Sequence, residues 1–377
     1  MKMLYISEYY GEKGQGAYQL TRAQIKSFKE LLGNSNVDIV SIKLDHAVPE
    51  DETLFLSSTT TTIDKLINLV HGYPVFYSKR CEDAIIELVR KNNYDLIYMG
   101  NSYFGATVKK IKKLFPNIPI WVFYHGVKAN SGRQTIKAVN YRPTIFLRCI
   151  ANIFGEKMTV KYSDTQILLN ERDSKELEKY YHRKADVLLP IYYKDTANIY
   201  NIEQRDEFRI LFLGSSFWPN IQGITWFAKN VMPKIEERAK LYIVGRGMEV
   251  LRKKTEFQSN RIEVVGETDD LNYWYNSADI VVGPIFHGEG MKTKTAEALM
   301  YGKVYLGTKE ALCGYTGMDK YLCESAQDFI SSINDYIEKG VLRFEPQMRA
   351  LYEEFYSIDA ANKILLKELN KLEAYNG

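Results

Sequence analysis

The chain has 377 residues, 45% of them apolar, and its 50 Lys and Arg nearly balance 47 Asp and Glu to leave a net charge of +3. That length exceeds what one hydrophobic core ordinarily organises, so two domains are expected, and the charge balance excludes a dedicated nucleic-acid binder. No apolar run is long enough to span a bilayer, Met1 to Ser7 enters a strand pattern without a signal peptide, and Cys81, Cys149, Cys313 and Cys323 lack metal-ligand spacing; free thiols in the cytoplasm are the expectation.

In chain order the first half alternates strand and helix. Met3-Leu-Tyr-Ile-Ser leads to Gly11, Gly14 and Gly16, and helical spacing of Leu20, Ile25, Phe28, Leu31 and Leu32 predicts a helix from Tyr18 to Leu32. Val37 to Ile42 is a second strand, and the polar stretch from Asp45 to Thr62 reads as a loop. Helices follow at Ile63 to Val70 and Cys81 to Lys91, a strand at Asp95 to Gly100, a basic helix at Val108 to Leu114, and a strand from Ile118 to His125. Strands at 165–169 and 186–191 flank a helix at 174–181. Repeated β-α units of this kind imply a parallel sheet, with ligands at the carboxyl ends of its strands. That rim holds the Gly14–Gly16 loop and His125.

From Leu96 to Gly155 the chain has no Asp or Glu, yet it carries Lys109, Lys110, Lys112, Lys113, Lys128, Arg133, Lys137, Arg142 and Arg148. Segregation of this kind predicts a positive surface. Residues 134–155 also mix apolar with basic side chains. Two readings stand together: contact with anionic membrane headgroups or a pyrophosphate-linked acceptor, and a solvated basic face over an ordinary core helix.

The polar segment 193–207 reads as a linker, after which the pattern restarts. Strands at 208–214, 241–245, 262–266, 280–283 and 304–307 end in or near glycine, with a helix from Ile221 to about Arg238. The fourth strand runs into Gly283-Pro-Ile-Phe-His-Gly-Glu-Gly-Met-Lys-Thr-Lys-Thr-Ala-Glu297-Ala-Leu-Met-Tyr-Gly302. Here a glycine-bearing loop holds Glu289, and a helix opened by Met291 or Thr293 holds Glu297, with Lys292 and Lys294 between them. A helix N-terminus with two lysines suits an anion. Helices at 326–339 and from about 346 to 375 close the chain.

These residues carry a resemblance. Ile210-Leu-Phe-Leu-Gly-Ser-Ser-Phe-Trp-Pro-Asn with Trp226-Phe and Met232-Pro, Leu241-Tyr-Ile-Val-Gly-Arg-Gly, Gly266-Glu-Thr-Asp-Asp-Leu with Tyr275-Asn-Ser-Ala-Asp, and the E-x7-E pair Glu289/Glu297 occur in the order found in retaining family 4 glycosyltransferases of the GT-B type. The resemblance is specific over residues 208–310 and weaker before them. It implies an α/β architecture of two doubly wound Rossmann-like domains facing each other across a cleft. Residues 1–192 would form the acceptor domain, 193–207 the linker, 208–345 the nucleotide-sugar domain, and 346–377 a helix returning to the first domain.

The resemblance also implies roles. Glu297 would bind the ribose, Glu289 the donor-sugar hydroxyls, and His125 the sugar from the first domain. Backbone amides at Gly290 and Met291 would meet the diphosphate, with Lys292 and Lys294 offsetting its charge. Gly214, Ser215 and Ser216 would admit the donor closely, with Arg246 within reach, and Gly14 and Gly16 would lie near the anomeric carbon. The donor would be a nucleotide sugar, UDP the frequent base, and the acceptor a glycan or lipid-linked hydroxyl, with no metal and no cofactor. Bland readings stand beside these: His125 as a strand-end histidine, Lys292 and Arg246 as surface charges, His287 as a loop residue. One departure is plain, since the family's basic pair after the first strand of this domain is absent: no Lys or Arg occurs between Gly214 and Lys229. Two other functions share the pattern, a sugar-nucleotide epimerase and a non-catalytic partner of a transferase.

Overall fold

The computed structural model describes residues 1–11, 16–43, 53–57, 61–74, 76–138, 142–200, 206–340 and 343–376. The chain divides into two compact units, Met1–Tyr193 with Ala361–Gly377, and Lys194–Ala360.

The first unit runs β1 (Met3–Ser7), α1 (Gly16–Leu32), β2 (Val37–Lys43), β3 (Thr53–Ser57), α2 (Thr62–His71), α3 (Lys79–Lys91), β4 (Leu96–Met99), α4 (Gly105–Leu114), β5 (Ile120–Tyr124), α5 (Lys128–Ala138), α6 (Pro143–Tyr162), β6 (Thr165–Leu168), α7 (Glu171–Tyr181) and β7 (Val187–Leu188). Among the described residues its strands form one parallel sheet in the order β3-β2-β1-β4-β5-β6-β7. β1, β4 and β5 are buried at every position, as befits parallel strands covered on both faces. The helices end where sequence chemistry stops them. Thr61 and Asp64 form a capping box at the start of α2, and Gly72 closes it in the left-handed region at φ 73°. β3 lies within a stretch expected to be a loop. It pairs with β2 at the sheet edge, where Leu54 is 44% exposed. Residues 45–52 and 58–60 of that expectation lie outside the described residues.

Two glycines let α4 and α6 touch. A Cβ on Gly105 would collide with the Gly155 carbonyl and stand 2.7 Å from Met158 Cβ; one on Gly155 would collide with the Tyr103 carbonyl. Thr159 Oγ1 donates to the Ser102 carbonyl at 2.6 Å across the same crossing. Alanine normally favours a helix over glycine by about 1 kcal/mol. At Gly155 the sign is expected to reverse, because the obstructing atom is backbone: Gly155→Ala should destabilise the protein by about 2 kcal/mol. A denaturation midpoint equal to or above that of the parent would refute this contact.

Buried Glu156, on α6, caps α5 from a distance. Its carboxylate accepts from the Lys128 amide (2.9 Å), the Ala129 amide (3.2 Å), Ser102 Oγ (2.8 Å) and Tyr181 Oη (2.9 Å). Burial raises its pKa, while the Lys128 amide, the nearby Lys128 charge, Ser102 and Tyr181 pull the other way. The expected basic surface is only partly free. Lys110 pairs with Glu82 at 2.8 Å and Asp83 at 3.0 Å, and Lys112 with Asp164 at 2.9 Å, acids contributed from outside the acid-free span.

The second unit runs β8 (Phe208–Leu213), α8 (Trp218–Asn230), β9 (Ala239–Val244), β10 (Ile262–Gly266), α9 (Leu271–Ser277), β11 (Ile280–Gly283), α10 (Thr293–Met300), β12 (Tyr305–Gly307), α11 (Ala326–Lys339) and α12 (Pro346–Leu351). Its parallel sheet has the order β10-β9-β8-β11-β12. α8 stops at Asn230, short of the expected Arg238, and a 3-10 turn carrying Pro233 follows. The single closing helix expected from 346 to 375 is broken. After α12 comes a π-turn at Tyr352–Tyr356, Ser357 takes extended backbone, and α13 (Ile358–Asn376) begins. Tyr352 and Tyr356 are buried within the second unit, and Tyr356 Oη accepts from the Thr316 amide at 2.7 Å. Only residues from Ala361 onward belong with the first unit.

Candidate functional site

On a doubly wound sheet, ligands lie beyond the carboxyl ends of the strands where the order reverses. In the second unit that point separates β8 from β11. The loop after β8 begins Gly214-Ser215-Ser216, and the loop after β11 runs from Pro284 to Lys292 into α10. α8 seats firmly under the second loop, since a Cβ on Gly223 would strike the Pro284 carbonyl.

Lys294 sits at the centre of this arrangement and is 9% exposed. Its Nζ donates to Asn220 Oδ1 at 2.7 Å and stands 4.7 Å from the centre of the Phe212 ring. A Cβ at position 214 would lie 3.0 Å from that Nζ, so glycine there makes room for the ammonium group. Burial pulls the Lys294 pKa down to about 7; Glu297 opposes the shift and Lys292 adds to it. The loop after β8 has no cation of its own, and Lys294 reaches up from α10 to the base of that loop.

Glu297 lies one turn further along α10. Tyr275 Oη donates to its Oε2 at 3.0 Å, and the Tyr275 ring stacks on Tyr301 with centres 4.3 Å apart. Burial raises the Glu297 pKa, against the pull of the Tyr275 hydrogen bond and the Lys294 charge. Lys292 precedes α10 as its N-cap residue. Its Nζ pairs with Glu310 at 2.6 Å and donates to the Glu289 and Gly290 carbonyls at 3.1 and 3.2 Å. Glu310 is thus the acidic partner of Lys292.

Glu289 is half-buried between Gly288 and Gly290, and Gly290 turns the chain through the left-handed region at φ 59° just before buried Met291. No side chain caps the first turn of α10, whose N-cap is Lys292. Tyr315 braces that turn, its hydroxyl donating to the Lys292 carbonyl at 2.6 Å and accepting from the Ala296 amide at 3.1 Å. Ser215, Ser216 and Arg246 are exposed, and the Ser216 amide donates to the Arg246 carbonyl at 3.0 Å, tying the loops after β8 and β9 together. His287 is exposed, with its ring 5.4 Å from that of Trp218. Within the second unit the structure thus joins Gly214, Lys294 and Glu297 in one cluster and ties Lys292 to Glu310.

The first unit has its own carboxyl edge, with the order reversing between β1 and β4. His125 follows β5, its ring edge-on to Tyr9 and Phe123 with centres 5.0 Å away in each case. Burial drives its pKa down to about 3, the Lys128 charge adds to the fall, and a hydrogen bond to the Gly100 backbone opposes it. Nε2 is buried without a hydrogen-bond partner among the described residues. Burial thus favours the neutral imidazole. Gly16 opens α1; Gly14 lies outside the described residues.

Four contributors escaped the sequence reading. Phe212, Asn220 and Tyr275 stood only within the quoted motifs, and Glu310 was not singled out. Glu8, directly after β1, is a further group missed, a buried carboxyl at the reversal point of the first sheet. It accepts from Asn101 Nδ2 at 2.8 Å and from the Tyr103 hydroxyl, and burial raises its pKa to about 7. A glutamate directly after an apolar strand that ends at the reversal point was the available signal.

Residues 207–339 match the family of glycosyl transferases group 1. Similar solved structures include HepE from Anabaena in complex with UDP and glucose, with a TM-score of 0.68 at 13% identity over 98% of this chain and 100% of that one. They also include the lipopolysaccharide outer core galactosyltransferase WaaB in its apo form (TM-score 0.66, 13% identity, 100% of both chains). A third is the pneumococcal O-GlcNAc transferase GtfA in complex with UDP and GlcNAc (TM-score 0.66, 13% identity, 99% of both chains). No curated protein sequence matches the chain. The two parallel sheets with flanking helices are the GT-B glycosyltransferase fold. Its second unit carries a glycosyl transferase group 1 domain.

Proposed function

We propose that this protein transfers a sugar from a UDP-sugar to a hydroxyl of a glycan or lipid-linked acceptor, with retention of anomeric configuration, as a cytoplasmic step in bacterial surface polysaccharide assembly. The observation that carries the reading is the buried Lys294 at the reversal point, held beside an uncapped helix start and one turn before Glu297. A diphosphate is the ligand such a place suits, because helix amides and an ammonium group meet its charge together. Glu297, held by Tyr275, offers a carboxylate oxygen to the two ribose hydroxyls. Glu289 supplies a carboxylate to accept hydrogen bonds from sugar hydroxyls.

In this reading the leaving diphosphate gains charge as the glycosidic bond breaks, and Lys294 with the α10 amides stabilises it where that charge grows. No metal or cofactor is required for that step. UDP in the complexes of HepE and GtfA supports the choice of base, and the lipopolysaccharide substrate of WaaB supports a lipid-linked acceptor.

Thermal denaturation with a panel of nucleotide sugars, followed by mass spectrometry of products from lipid-linked acceptors, tests the proposal. A UDP-sugar is expected to raise the midpoint and to add one sugar mass to an acceptor, in the presence of EDTA as in its absence. No shift with any nucleotide sugar would refute donor binding. Conversion of the donor alone into an epimer would make the protein an epimerase.

A further inference from the structure

The first unit carries an apolar surface that the transfer chemistry does not use. On α2, Ile63 is 69%, Ile67 50% and Val70 81% exposed, while the polar Asn68 is buried and donates to the Pro74 and Tyr77 carbonyls. Among its described side chains, the helix thus turns polar Asn68 inward and an apolar stripe outward. On α6, Phe146, Leu147, Ile150 and Phe154 are each between 40% and 50% exposed. Their spacing of three, four and eight residues along the helix gathers them on one face. The two stripes adjoin at Gly72, where an added Cβ would lie 2.7 Å from the Phe154 ring and 2.8 Å from Met158 Cε.

Seven large apolar side chains on two adjoining helices form a contiguous patch, unlike the singly scattered apolar residues of ordinary surfaces. The charges on the same two helices decide what covers it. Lys65, Arg142, Arg148, Lys157 and Lys161 are basic and exposed. The acids are Asp64, engaged in the α2 capping box, and Glu156, fully buried as the cap of α5. An apolar stripe flanked by cations whose acids are spent internally fits the boundary of an anionic bilayer, where side chains enter the acyl region and lysines and arginines stay at the headgroups.

We infer that the α2–α6 face docks this protein on an anionic membrane surface. The inference is independent of the transfer reading, since it rests on a different part of the first unit. Each side of the match contributes: inserted aromatic and aliphatic groups give apolar burial, and the arginines and lysines give salt-sensitive attraction. No helix among the described residues is long and apolar enough to cross a membrane, so the attachment is peripheral and reversible.

The test is flotation of the full chain with vesicles of phosphatidylcholine mixed with phosphatidylglycerol, against vesicles of phosphatidylcholine alone. Binding is expected to the anionic vesicles and to fall as salt is raised. Ile67→Ser with Ile150→Ser should lower the partition coefficient at least about tenfold, and Arg142→Ser with Arg148→Ser should lower it while leaving the thermal midpoint unchanged. These residues are exposed, so the variants fold. Absence of vesicle binding by the parent protein, equal binding to both lipid mixtures, or undiminished binding by both double variants would overturn the inference. A dimer dispersed by Ile67→Ser with Ile150→Ser, in a protein that ignores vesicles, would assign the face to a second copy of the chain.

Discussion

Lys294→Met is expected to reduce kcat/KM by about 10²–10³, the range lost when a preorganised transition-state charge partner is removed. The environment of this lysine makes a second, sharper result expected. In the donor-free protein burial holds its pKa at about 7, so at about pH 8.5 most of the population is neutral. A diphosphate beside Nζ favours the ammonium form and raises the pKa again. Donor binding at that pH therefore takes up a proton, and donor affinity declines as pH rises above 7. Titration calorimetry of UDP in buffers of different ionisation enthalpy measures the uptake directly. Close to one proton is expected for the parent and none for Lys294→Met. Equal uptake by both proteins would remove Lys294 from the diphosphate site. The same depression of pKa acts on the donor-free fold: the unfolded lysine binds its proton up to about pH 10.5, so folding stability from this group rises with pH from 7 through that value.

Glu289→Ala is expected to lower turnover by about 10³, with the fold intact. A carboxylate accepting from two sugar hydroxyls loses two charged hydrogen bonds of about 1.5–3 kcal/mol each, and bonds that tighten as the sugar ring flattens count fully against kcat. Glu289 is half-buried in the loop between Gly288 and Gly290. UDP binding to this variant should remain near that of the parent, since the proposed charge partner of the diphosphate, Lys294, lies on α10. Turnover equal to the parent would dismiss Glu289 from the sugar site; loss of UDP binding would move it to the nucleotide.

Much of this site was legible because its signals are local. Glu289 and Glu297 share one stretch with the helix that carries the latter, and the glycines that end β8 and β11 mark strand ends in any parallel sheet. What stayed hidden depends on distance along the chain. Lys294 meets Asn220 across 74 residues, so its place under Gly214 follows only once β8 and β11 are neighbours. Glu310 claims Lys292 from beyond β12, and nothing near Lys292 in sequence announces the pairing. The basic surface was overstated for the same reason, since Glu82 and Asp164 reach Lys110 and Lys112 from outside the acid-free span. Thr53–Ser57 was missed because an edge strand needs only half the apolar signal of a central one, and the polar residues around it dominated the window. The break near Ser357 escaped periodicity because Tyr352 and Tyr356 gain more from burial than the helix gains from continuity.

The cap that Glu156 places on α5 has a consequence for the order of assembly. Lys128 and Ala129 leave the ribosome before the carboxylate that satisfies their amides, and the intervening chain includes most of α6. The start of α5 therefore gains this cap only once α6 is in place at the Gly105–Gly155 crossing. Two helices that read as separate elements in the sequence thus share one cap, and the side chain that joins them is a buried carboxyl rather than an apolar contact.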